Sequence, residues 1–104
     1  MNQMEKTKLY SRKYTDEDNR TYHLEYSLIA QPFVQATVYG VEILLDHEKR
    51  EYVEGLCENR EEAEGFLRRL ADGLAFPVEL AALSDDFISE REYEKELKNM
   101  QAAS

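Results

Sequence analysis

TYHLEYSLIA, residues 21–30, alternates without a break: Tyr22, Leu24, Tyr26 and Leu28 fall on one side, His23, Glu25 and Ser27 on the other. A period of two belongs to a half-buried β-strand, whose successive side chains point to opposite faces of a sheet. The flanks repeat the mode. Upstream, KLYSRKY (8–14) is short, basic and extended, and TDEDNR (15–20) is a cluster of turn formers that reads as a hairpin loop. Downstream, Gln31-Pro32 predicts a turn or a sheet edge, because proline cannot donate to a central ladder. VQATVYGVEILLD (34–46) resumes as a strand whose phase slips: Val34, Ala36 and Val38 share one face, Tyr39, Val41, Ile43 and Leu45 the other. Gly40 sits at the slip and predicts a bulge or bend. HEKRE (47–51) is a polar turn and EYVEGLC (51–57) a shorter strand.

The period then changes. Asn59 with Glu62 has capping-box spacing, and Ala63, Phe66, Leu67, Leu70 and Ala71 follow at helical intervals up to Gly73, a natural stop. Pro77 suits the first turn of a second helix, with Leu80, Leu83 and Phe87 as its apolar stripe. Asp85 and Asp86 point about 100° apart on such a helix and fall on its wet side, so they are a solvated face and not a paired-carboxylate site. Ser89 with Glu92 repeats the capping-box spacing, so a third helix either starts there or continues the second. Tyr93, Leu97 and Met100 lie at i, i+4 and i+7 on this otherwise charged tail.

Strands first and helices second predict an α+β domain: an antiparallel meander of about four strands, then two or three helices packed on one sheet face. The other face is expected to be partly wet and to suit tyrosine, with its apolar body and polar tip. The expected organisation is a loose N-terminus at 1–6, a single domain at 7–88, and a charged C-terminal helix or tail at 89–104.

A chain of 104 residues with 42% apolar content can build one core. The formal charge of −9 excludes a broad basic footprint for nucleic acid and disfavours an anionic membrane surface. Cys57 is the single cysteine, so no intrachain disulfide forms and a reducing compartment is expected. No apolar run approaches a membrane span, and MNQMEKTKLYSRKY lacks the apolar segment of an export signal, which makes the cytoplasm the expected location.

YGVEI (39–43) on a strand, ENREEAE (58–64) opening a helix, and FPVEL…DDF (76–87) together resemble a small bacterial family of the clostridial type. Its pattern runs Tyr-Gly-Ile-Glu-Ile, a helix, then Pro-x-x-Leu and an acidic-Phe ending. The resemblance spans Tyr39 to Phe87. It implies a bacterial, cytoplasmic, free-standing domain, and it brings no activity and no site residues with it.

Candidate chemistry is sparse. His23 and Glu25 share a strand face, which is metal-ligand or acid–base spacing, but two ligands without a third make a surface pair the better reading. Cys57 precedes a helix N-terminus, which favours a thiolate, yet Glu54, Glu58, Glu61 and Glu62 oppose one, so a structural cysteine is expected. Phosphate loops, nucleophile elbows and dinucleotide fingerprints are missing from the sequence. No cofactor and no metal are expected.

The leading expectation is therefore a non-enzymatic protein-interaction or regulatory module, binding a protein partner or a second copy of itself. Its surfaces would be the tail stripe Tyr93, Leu97 and Met100 and a tyrosine-bearing sheet face with Tyr22 and Tyr26. The alternative is a small-molecule-binding protein or minor enzyme, with a cleft between sheet and helices near Tyr26, Tyr39, His23 or Cys57.

Overall fold

The computed structural model describes residues 4–102. Residues 1–3 of the expected loose N-terminus, and 103–104 of the expected tail, lie outside that range. Four strands follow one another: β1 (Glu5–Thr15), β2 (Thr21–Phe33), β3 (Ala36–Leu45) and β4 (Lys49–Cys57). They pair antiparallel in the order β1-β2-β3-β4. Two helices complete the chain, α1 (Arg60–Asp72) and α2 (Leu80–Ala102), the second entered through a single 3₁₀ turn at Pro77–Glu79. This is the α+β meander expected from the alternation.

Each turn has a chemical cause. In the first, Asp16 Oδ1 accepts from the backbone N–H of Asp18 and of Arg20, both at 2.9 Å, while Asn19 takes a left-handed conformation. In the third, Asp46 and His47 both have positive φ (51° and 60°), and the Glu48 N–H donates to the Leu45 carbonyl at 3.0 Å. That is the twist a tight hairpin requires. Asp46 also clasps His23 through two contacts of 2.8 Å, its N–H donating to the His23 carbonyl and its Oδ1 accepting from the His23 N–H, fixing the register at that end of β2. The second turn departs from this chemistry: Val34, a β-branched residue, sits at φ 55° and is 90% exposed.

At Gln31-Pro32 the edge forms and not the turn, and the bulge expected near Gly40 lies in the neighbouring strand. β2 does not turn at Gln31-Pro32 but runs to Phe33, with Pro32 opposite Thr37. Among the described residues pairing with β1 ends at Glu5–Ala30, so Pro32 lies on the edge side of β2 there, where its missing N–H goes unneeded. The irregularity near Gly40 is real, but the extra residues belong to β4: Tyr39 pairs with Cys57 and Val41 with Val53. β3 itself stays in register with β2 through Gly40. Gly55 absorbs the bulge with φ 64°, and Gly40 is the flat place it rests on, since a Cβ there would overlap the Val53 carbonyl.

The helices cover the face built from Leu24, Tyr26, Leu28, Val41 and Ile43, against which Ala63, Phe66, Leu67, Leu70, Leu80 and Phe87 pack. The tyrosines follow this parity. Tyr26 is 0% exposed and its hydroxyl donates to the Ala75 carbonyl at 2.9 Å, across 49 residues of sequence. The expected tyrosine-bearing wet face is thus the covered one. The open face carries ions instead. Glu42, 4% exposed, is flanked by Lys6 Nζ at 3.0 Å and Arg50 Nε at 3.6 Å, and Glu25 by Lys8 at 3.1 Å and His47 at 3.8 Å. Long basic stems lie over this side of the sheet in place of a second layer.

α1 is capped as its sequence suggests, Asn59 Oδ1 accepting from the Glu62 N–H at 3.0 Å. It ends in a Schellman turn: Leu74 N–H to Ala71 O at 3.1 Å and Ala75 N–H to Leu70 O at 2.9 Å. Leu74 (φ 53°), and not Gly73, takes the left-handed position. Glu79 then accepts from the Phe76 N–H at 2.7 Å and starts the next helix. From Leu80 the helix is continuous. Ser89 caps nothing; it lies exposed in mid-helix, because no proline or glycine interrupts the chain between 78 and 102.

Candidate interaction surface

α2 is anchored through one half and stands clear through the other. Leu80, Ser84 and Phe87 are buried, and Phe87 stacks on Phe66 of α1 with ring centroids 4.5 Å apart. Arg91 Nε donates to Glu62 Oε2 at 2.7 Å, with the guanidinium also over the Phe87 ring. Glu62 therefore leaves the capping box its spacing suggested and ties α2 to α1 instead. Beyond Arg91, every described side chain is exposed.

Helical spacing of about 100° per residue orders the projecting half. Tyr93, Leu97 and Met100 fall within about 60° of one another. They are 63%, 39% and 70% exposed. Arg91, Glu92 and Lys95 lie on other sides and, with Ile88, border a depression against Gly55 and Leu56 of β4. The apolar stripe thus faces away from β4.

The stripe continues toward the body. Asp86 and Glu90 lie within about 20° of Leu97 in helical projection. Both border a cleft of about 260 Å³ between α1 and α2, floored by Phe66, Leu70, Ala75, Leu83 and Phe87. Arg69 stands on the same rim, its guanidinium over both phenyl rings and 3.5 Å from Glu90. The sequence assigned Phe66, Leu83 and Phe87 to the core by their spacing, and spacing could not show that the two helices leave this seam open.

The other predicted residues do not join this surface. Tyr22 packs half-buried against Phe76 (5.4 Å) and Tyr14 (6.2 Å), its hydroxyl donating to Asp16 at 3.3 Å. Phe76 precedes α2, so Tyr22 sits at the opposite end of that helix from Tyr93, about 20 Å of helical rise away. Tyr26, sealed in the core, offers nothing to a partner. His23 is exposed on the open sheet face, where Glu25 meets Lys8 and His47 rather than His23. Cys57 is buried, its thiol donating to the Asn59 carbonyl at 3.3 Å. Burial raises its pKa, so it is a protonated packing residue. None of Tyr26, Tyr39, His23 and Cys57 lines the cleft, which lies between the helices and not between sheet and helices. Among the described residues, no group of three or more His, Cys, Asp or Glu side chains is placed to hold a metal. No described helix is long and apolar enough to cross a membrane.

Comparison with known proteins identifies the domain without assigning it a role. No curated protein and no solved structure matches the chain significantly. A family model does, over residues 5–90, which reaches well beyond the Tyr39–Phe87 stretch of the expected resemblance and says nothing of a clostridial source. It ends at Glu90, where α2 is about to leave the body. The chain belongs to DUF6514, a family of unknown function.

Proposed function

We propose that the chain is a non-enzymatic protein-interaction module, cytoplasmic and bacterial, whose contact surface is the projecting half of α2. Residues 7–88 form the folding unit and 89–104 the appendage that reaches the partner. The observation that carries this reading is the exposure of Tyr93, Leu97 and Met100 in one stripe on a helix that has already satisfied its packing through Leu80, Ser84 and Phe87. Apolar side chains aligned beyond the body of a domain mark a contact surface more than scattered ones do. The buried, protonated thiol of Cys57 suits a reducing compartment.

The test is affinity capture from a lysate of the native host with the full chain and with the Leu97→Asp/Met100→Asp variant, read by mass spectrometry. A protein held by the first and lost by the second is the expected result. An identical set of retained proteins, or none, would refute the reading.

A further inference from the structure

Building on the proposed contact surface, we infer that its partner is a basic amphipathic helix, laid along the face of α2 that runs from the α1/α2 cleft to the exposed stripe. On one side of α2 the cleft residues Leu83, Asp86 and Glu90 are followed, along the same line of the helix, by the exposed Leu97 and Met100. That line is about 26 Å long, or roughly five helical turns. One apolar side chain of the partner enters the 260 Å³ cleft, and others lie on Tyr93, Leu97 and Met100. This is helix-in-groove recognition, which reads anchors at i, i+3, i+4 and i+7.

Charge selects the occupant. Between Asp85 and Lys98 the helix carries six acids and three bases. Of those bases, Arg91 is held by Glu62 at 2.7 Å, Lys95 borders the β4 side, and Lys98 borders a separate depression with Glu62 and Glu94. Asp86 and Glu90 lie on the line of that face, and Glu94 and Glu96 flank it. Arg69 is the opposing cation on the cleft rim, and Glu90 stands 3.5 Å from it. A second copy of the chain presents the same acidic flanks and the same formal charge of −9, so pairing like with like is opposed. A helix with lysine or arginine beside its apolar stripe is complementary to Asp86, Glu90, Glu94 and Glu96.

A display library of 18-residue helical peptides tests this, with leucines fixed at one-face spacing and flanking positions free among Lys, Glu and Ser, selected on the immobilised full-length protein. Enrichment of lysine at the flanks is expected. The selected peptide should bind Leu97→Asp at least about tenfold more weakly, although that substitution adds negative charge, and Glu90→Lys/Glu94→Lys at least about tenfold more weakly as well. Neutral or acidic flanks, undiminished binding to Leu97→Asp, or no enrichment would overturn the inference. Sedimentation of the full-length protein separates the two levels. A dimer abolished by Leu97→Asp would leave the contact surface standing and remove the basic partner.

Discussion

Tyr26 concentrates the logic of the domain in one side chain. Its ring fills the centre of the sheet–helix interface, and its hydroxyl satisfies the Ala75 carbonyl just past the end of α1. Replacement by phenylalanine keeps the volume and strands that carbonyl, so Tyr26→Phe should cost about 1–2 kcal/mol in urea unfolding. A loss below about 0.3 kcal/mol would show that the bond contributes little. The same burial gives a pH signature. Desolvation, opposed by Arg12 and reinforced by Glu79, raises the phenol to about 12 from an ordinary 10.0. The neutral form is favoured in the folded state. The associated stability is thus complete below pH 10 and drains away as pH rises toward 12. Tyr26→Phe should flatten that alkaline limb, measured by chemical denaturation across pH. Equal limbs in both proteins would contradict the assignment. The alternation around Tyr26 was legible in the sequence, and so was the side it occupies. What was not legible is which side the helices cover. Tyrosine suits both a wet face and a core with one available carbonyl, and only the path of the chain at Ala75 decides between them.

At the scale of elements, α2 divides into an anchor and an arm. Phe87, buried and stacked on Phe66, belongs to the anchor; Phe87→Ala should destabilise the fold by about 3–5 kcal/mol. Leu97→Asp/Met100→Asp touches the arm and should shift stability by no more than about 0.5 kcal/mol. Thermal or urea unfolding of both variants checks the division. A loss of several kcal/mol from the second would mean that the arm packs on the body. The anchor was legible, because Leu80, Leu83 and Phe87 keep helical spacing. The continuity of the helix was not: Ser89 with Glu92 mimics a start signal, but a cap requires the chain to leave helical geometry first, and nothing between Val78 and Ala102 forces it to. Asn59 with Glu62 was half legible for a related reason. The asparagine caps as its spacing suggests, while the glutamate finds Arg91, 29 residues away, a stronger partner than the backbone N–H of Asn59.

At the scale of the whole molecule, one sheet and one helical layer make a plate 18 Å thick and 56 Å in its longest direction. The face without helices carries the ion pairs of Glu42 with Lys6 and Arg50 and of Glu25 with Lys8. The arm of α2 lies past residue 90, where the family match ends. Charge and cysteine content were readable at this scale from composition alone. The cleft between α1 and α2 was not, because it depends on the angle at which two individually ordinary helices meet.

The central claim, that one face of the arm is a contact surface, is tested most directly by scanning a photo-crosslinking residue along α2 of the full-length protein in cells. Positions 93, 97 and 100 report the stripe, and 92, 95 and 99 its opposite side. Discrete adducts at the first three and none at the others, a pattern with helical period, are what the account predicts. Adducts without that period, or none at any of the six positions, would contradict it.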